Sequence, residues 1–231
     1  MQVWCASPAD VAAPEAAARA RALLTDAVLE RVGRFHFARD RELGLATRAL
    51  ARRVLSRYDA VPPAAWRFVA NAHGRPEIAS PPSSLRFNLS NTAGLVVCAV
   101  ARGDDVGVDV EDVGRAAPLE VAERFFAPFE VAALNRLPPE RRPLRFFEYW
   151  TLKESYIKAR GLGLALPLER FWFHLDGEPA PRLTVDPSLG DDSGAWRFTQ
   201  LRPTARHLVA LCARRHDGLD AAPVVRWDAL A

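Results

Sequence analysis

The chain has little of what sulfur-based and histidine-based chemistry requires. Its three cysteines, Cys5, Cys98 and Cys212, lie far apart and form no CxxC pair. That excludes a disulfide framework and a cysteine-type zinc site. The five histidines are scattered, with neither HxxxH nor HExxH spacing, so zinc hydrolase motifs are absent as well. No stretch approaches the roughly 18 consecutive apolar residues of a membrane-spanning helix. The opening MQVWCASPADVAAPEAAARA lacks a basic segment followed by a purely apolar run; no secretory signal is expected, and a cytoplasmic protein is.

What is present is an ordinary globular composition, 49% hydrophobic and 26% charged over 231 residues. That is enough chain to bury a sizeable core as one domain or as two small ones. The net charge of +3 is carried largely by arginine, as in RDRELGLATRALARR. So mild an excess suits nucleic acid, an acidic protein partner or a phosphate-rich ligand equally. Most of these arginines read as the solvated face of a helix.

Along the chain, EAAARARALLTDAVLERV and DRELGLATRALARRVLSRYD carry apolar residues at helical spacing. Short extended pieces follow, punctuated by Pro, Gly and Asn. LRFNLSNTAGLVVCAVARG reads as strand–turn–strand, DVGVDVEDV as a further strand, and LEVAERFFAPFEVAALNRL as two short helices around Pro128. PPERRPLRFFEYWTLKESYIKARG predicts a long helix stopped by Gly161 and Gly163. The tail over 169–215 predicts strands broken by DGEPAP and PSLGDDSG. A faint internal echo links LRFNLSNTAGLVVCAVAR with WRFTQLRPTARHLVALCAR. It predicts an α+β chain of two related halves, 1–105 and 106–231, each a helix on a small antiparallel sheet, with a cleft between them as the natural place for a site.

The stretch YWTLKESYIK carries the first chemical signal. Helical spacing puts Phe147, Trp150, Glu154, Ile157 and Lys158 on one broad stripe, with Tyr149, Leu152 and Tyr156 opposite. Both faces are apolar, so the helix is expected to be buried nearly all round. Glu154 and Lys158 then need partners, because an unpaired buried charge is costly. An i,i+4 pair between them is one solution, and a ligand is the other. In GVDVE, Asp109 and Glu111 share one face of a strand, where two carboxylates resist ionising together. An edge strand facing water tolerates this. The apolar run LVVCAVARGDDVGVDV suggests a central strand reaching a cleft instead, where a hard divalent cation with oxygen ligands is the usual remedy. Glu154 supplies a third ligand, and Lys158 reaches a phosphate oxygen. Arg75 in the HGRP turn and Ser90 in LSNTAG offer anion contacts. The residues point to a Mg²⁺-dependent enzyme acting on a phosphate ester or anhydride.

The order and spacing of GRP, FNLSNT, GVDVE and WTLKESYIK resemble the Sfp-type 4′-phosphopantetheinyl transferases. Their signature is a G-[IV]-D-[IVL]-E strand followed by a W-x-x-K-E-[AS]-x-x-K helix. Trp150, Lys153, Glu154, Ser155 and Lys158 complete the second motif, and Arg124, Phe125, Phe126 and Glu130 fit the segment between the two. The resemblance spans residues 28–175.

It implies two pseudo-symmetric α+β halves with coenzyme A and Mg²⁺, or Mn²⁺, bound in the cleft. Asp109, Glu111 and Glu154 are the implied metal ligands. Arg31, Arg75, Ser90, Asn91, Asp109, Lys153 and Lys158 are the implied coenzyme A contacts, Arg31 at the 3′-phosphate and Lys158 at the pyrophosphate. Glu154 and Lys158 are the implied catalytic pair, the first accepting a serine proton and the second stabilising the leaving group. The implied partner is an acidic apo acyl or peptidyl carrier protein, with neither nucleic acid nor membrane involved, and a monomer is expected. Two positions depart from the pattern: Asn91 stands where many relatives carry His, and Gly44 where a small hydroxyl residue is expected beside the base. The competing readings are another Mg²⁺-dependent phosphohydrolase or nucleotidyl transferase, and a nucleic-acid-binding module using the arginines of 39–57.

Overall fold

The computed structural model describes residues 1–177, 180–215 and 223–230. The chain divides into two compact units, Met1–Asp104 with Pro223–Ala231, and Asp105–Ala222.

The first unit opens with β1 (Gln2–Ala6), then three helices, α1 (Pro14–Ala22), α2 (Asp26–Gly33) and α3 (Ala38–Leu55). A small hairpin of β2 (Arg67–Ala70) and β3 (Pro76–Ser80) leads to the longer hairpin of β4 (Leu85–Thr92) and β5 (Leu95–Arg102). The closing strand β11 (Val224–Trp227) lies parallel to β1, giving the sheet order β11-β1-β5-β4. The sequence placed that segment with the second half. Its return is held by Asp228, whose fully buried carboxylate accepts from Arg53 Nε at 2.8 Å and Arg57 Nη2 at 2.6 Å. Six consecutive residues of β5, Leu95–Val100, are buried, as a central strand beneath a helix requires. Trp4, Leu50, Leu55, Trp66 and Phe87 anchor the core between α3 and this sheet.

The second unit begins with β6 (Val106–Asp112), followed by α4 (Leu119–Phe125), α5 (Pro128–Arg136) and the long α6 (Arg142–Arg160). β7 (Phe171–His174) pairs with β8 (Arg182–Val185). β9 (Trp196–Leu201) and β10 (His207–Arg214) complete a three-stranded antiparallel sheet of order β6-β10-β9. Residues 178–179, inside the expected break DGEPAP, lie outside the described residues. α6 is buried nearly all round, as its two apolar faces predicted, and packs on β6 and β10. It stops at Gly161, whose left-handed φ of 65° a β-carbon would disfavour.

The internal echo corresponds to the hairpins β4–β5 and β9–β10. In each, the cysteine-bearing strand is central in its sheet, with Cys98 in β5 and Cys212 in β10, both buried.

Candidate active site

β6 is an edge strand of its sheet, not the central strand that the apolar run suggested. Its carboxylates are nevertheless shielded, because α6 covers the strand. That covering depends on Gly107: a β-carbon there would overlap the Ser155 carbonyl oxygen and the Ala159 amide nitrogen of α6. The helix backbone therefore rests directly on the strand two residues before Asp109.

Asp109 is buried, and Lys158 Nζ of α6 donates to its Oδ1 at 2.6 Å. Glu111, on the same strand face, accepts from Arg115 Nη2 at 2.9 Å. Glu154 is half-buried and makes no hydrogen bond or ion pair with any described residue. The i,i+4 pairing of Glu154 with Lys158 does not form; the ammonium goes to the strand instead. Burial first, and then the charge on Asp109, push the Glu154 carboxyl up to about 7; Lys158 opposes this and Glu111 adds to it. Burial also raises Glu111, with the charge of Asp109 adding to it against Arg115. Three carboxylates thus share one field and repel, with only oxygen donors facing one another, which is the donor chemistry of Mg²⁺ or Mn²⁺. They do not stand as a ready-made metal cluster: among the described residues no three His, Cys, Asp or Glu side chains are grouped to hold an ion.

Lys153 leaves the set of expected coenzyme A contacts. It is fully buried, and its three N–H donors are spent on Glu130 Oε2 at 2.7 Å and on the carbonyls of Leu168 and Phe171 at 2.8 and 2.6 Å. An ammonium so saturated has no donor left for a ligand. Sequence spacing could not show this, because Lys153 and Lys158 belong to one motif but face different surroundings.

In the first unit, α2, α3, β2 and β4 enclose a cavity of about 440 Å³ whose lining includes Arg31, Arg48, Arg52, Arg67, Thr47 and Asn91. None of the four arginines pairs with a carboxylate among the described residues. Arg52 is 3% exposed, its Nε has no hydrogen-bond partner among the described residues, and its guanidinium lies 4.9 Å from the Phe68 ring centroid. Burial, then Arg67 and Arg48, lower it to about 10. Burial followed by the charge of Arg31 lowers Arg48 too. A cavity that gathers cations at this cost suits a polyanion. The solvated-face expectation therefore fails for Arg48 and Arg52, whose four-residue spacing was the only sign that they share one face.

Gly44 carries no hydroxyl, and one turn further along α3 Thr47 lines the cavity. Thr47 Oγ1 accepts from Asn91 Nδ2 at 3.2 Å and donates to the Leu43 carbonyl at 2.7 Å. Gly74 and Pro76 line the cavity but Arg75 between them does not, and Ser90 lies buried in β4 outside the lining. The structure thus brings Arg31 and Asn91 together, and Asp109, Glu111, Glu154 and Lys158 together, each within its own unit.

Two paired carboxylates on a strand, a third on the helix above and an arginine-lined cavity define a phosphate-handling enzyme. The sequence matches the 4′-phosphopantetheinyl transferase superfamily over residues 105–212 and the 4′-phosphopantetheinyl transferase N-terminal family over residues 12–102. The chain belongs to the 4′-phosphopantetheinyl transferases. It is 35% identical to the 4′-phosphopantetheinyl transferase HetI of Nostoc sp. over 193 residues, covering 82% of this chain and 78% of that protein. It is 29% identical to the 4′-phosphopantetheinyl transferase Sfp of Bacillus subtilis, covering 87% of each. With the human L-aminoadipate-semialdehyde dehydrogenase-phosphopantetheinyl transferase it shares 30% identity, over 82% of this chain and 66% of the relative. No helix among the described residues is long and apolar enough to cross a membrane.

Proposed function

We propose that this transferase moves the 4′-phosphopantetheine arm of coenzyme A onto a serine of an apo acyl or peptidyl carrier protein, with a divalent cation held by Asp109, Glu111 and Glu154. The observation that carries the reading is the pair of complementary deficits: three mutually repelling carboxylates under α6, and four arginines without carboxylate partners in one cavity.

The cavity of the first unit takes the nucleotide end, with Arg31, Arg48 and Arg52 meeting its phosphate charge. Arg75 and Ser90 are assigned to the nucleotide and pyrophosphate from the family pattern. When bound, Mg²⁺ or Mn²⁺ draws charge off the phosphoryl oxygens. Lys158 stabilises the charge that develops on the leaving phosphate. Glu154, beside Asp109 and facing the reacting centre of the proposed site, would accept the serine proton. The serine oxygen forms a bond to the phosphorus that bears the pantetheine arm. The bond from that phosphorus to the bridging oxygen breaks, and 3′,5′-ADP leaves.

The test is intact-mass spectrometry of an apo carrier protein incubated with this protein, coenzyme A and Mg²⁺, beside an EDTA control. A gain of one phosphopantetheinyl group that EDTA abolishes is expected. No gain with several apo carriers, despite measured coenzyme A binding, would overturn the reading.

A further inference from the structure

The second unit buries an ion pair that the chemistry above does not use. Glu130 of α5 and Lys153 of α6 are both 0% exposed and stand 2.7 Å apart. Besides Glu130, the ammonium holds the Leu168 and Phe171 carbonyls and lies 4.5 Å from the Phe171 ring centroid. Besides Lys153, the carboxylate accepts from the backbone N–H of Phe173 at 3.0 Å and of Ala127 at 3.1 Å. Three of these five directional bonds tie α6 to α5 and to the carbonyls at and just before the start of β7; the other two fix the Glu130 carboxylate to the start of α5 and to β7.

Stability alone is a poor account of such a pair. Desolvating two charges offsets most of their attraction, and apolar residues of similar volume often serve a core equally well. What bonds supply and apolar packing does not is angle. Much of the remaining packing of this stretch of α6 is against rings, Phe146 and Trp150 stacking with Phe126 and Tyr156 packing edge-on to Phe171; Gln200 adds bonds to the Glu148 carbonyl and Thr151 Oγ1, and Tyr156 donates to Asp191. Ring contacts tolerate small rotations of a helix about its axis. The hydrogen bonds at Lys153 do not, since each weakens steeply as its angle departs from linearity.

The next residue along is Glu154, about 100° further round the same helix. Side-chain ends lie about 5–6 Å from a helix axis, so a rotation of about 15° would carry its carboxylate about 1.5 Å. A working constellation tolerates about 0.5 Å. Gly107 sets how close α6 comes to β6; nothing in that backbone contact sets its rotation. We propose that the Glu130–Lys153 pair is a rotational stop for α6 that aims Glu154 and Lys158 at Asp109. Glu130 and Lys153 are then positioning residues for the cation and pyrophosphate site. The inference rests on the functional reading that Asp109, Glu111 and Glu154 hold a divalent cation.

The experiment compares the full-length wild type with Glu130→Gln and with the double variant Glu130→Leu/Lys153→Met, which leaves no buried charge behind. Mn²⁺ affinity is read by electron paramagnetic resonance without substrates, and kcat and the KM for coenzyme A by carrier modification. Both variants are expected to bind Mn²⁺ and turn over about 10- to 100-fold less well, the usual cost of removing a residue that orients metal ligands. The KM for coenzyme A should stay within about threefold, because the arginine cavity lies in the other unit. Wild-type Mn²⁺ affinity and kcat in the folded double variant would overturn the proposal. So would a loss that merely tracks the unfolded fraction, since that assigns the pair to stability. A wild type that binds no Mn²⁺ would overturn the cation reading and this inference with it. A wild type that binds Mn²⁺ but modifies no carrier would sink the proposed reaction alone, leaving the Mn²⁺ comparison to decide the positioning role.

Discussion

Lys158 Nζ sits 2.6 Å from Asp109 Oδ1, across from its own helix to the neighbouring strand, while Glu154 one turn back has no ion pair with any described residue. In the proposed transfer, this ammonium at the carboxylate site meets the developing phosphate charge. Lys158→Met is expected to lower kcat for carrier modification by about 10²–10³, the usual cost of removing one donor to a transition-state oxyanion. Time courses of holo-carrier formation would measure it, and a variant within threefold of wild type would remove Lys158 from the chemistry.

Burial and Asp109 raise Glu154 from its ordinary 4.5 to about 7. Between these values the folded protein holds a proton that the unfolded chain has lost. Its contribution is full below about 4.5 and disappears as pH rises through about 7. In EDTA, Glu154→Gln should therefore have a higher Tm than wild type at pH 8, and the difference should shrink towards zero at pH 5. Equal differences at both pH values would show that the carboxylate is not perturbed. The same variant should lose transfer activity.

Arg52 is buried beside Arg48 and Arg67 with an unpartnered Nε. Removing it should weaken anion binding and relieve the empty protein at once. Arg52→Met is expected to weaken coenzyme A binding by about 1.5–3 kcal/mol, the scale of a hydrogen bond to a charged group. Without ligand its Tm should be equal to or above that of wild type. Calorimetric titration with a thermal melt separates the two effects; a lower ligand-free Tm with unchanged affinity would mark Arg52 as structural.

Gly107 allows the α6 backbone to rest on β6. Gly107→Ala must push backbone against backbone, with no flexible side chain to give way. It should cost about 1–3 kcal/mol, the range for overpacking, or more, and should weaken Mn²⁺ binding by separating Asp109 from Glu154. Urea denaturation and Mn²⁺ titration would show both. Wild-type stability would refute the close approach.

Asp228 draws the closing segment onto the first unit through Arg53 and Arg57. Asp228→Asn keeps the shape and loses the charge. It is expected to destabilise by about 1–3 kcal/mol, the scale of weakened hydrogen bonds at a buried charged group, with hydrogen exchange rising first in β1 and β11. Unchanged exchange in these strands would refute the clamp.

The α+β character, the helices on either side of Pro128, the long helix ending at Gly161 and the two cysteine-centred hairpins were all legible from periodicity and turn residues. So was the placement of Asp109, Glu111 and Glu154 among apolar neighbours, because strand and helix spacing shows it. These are local properties of the chain. Partner choice is not. That Lys158 turns to Asp109 and not to Glu154, that Lys153 is spent on Glu130 and two carbonyls, and that Arg52 faces a cavity are decided by which elements pack together. So is the return of Val224–Trp227 to β1, at a sequence separation that no local pattern encodes. The sequence by itself determined most of the helices, the two cysteine-centred hairpins and the family; only the tertiary structure decided the pairing of β1 with β11 and which charges meet, because both depend on distances set by packing across the chain.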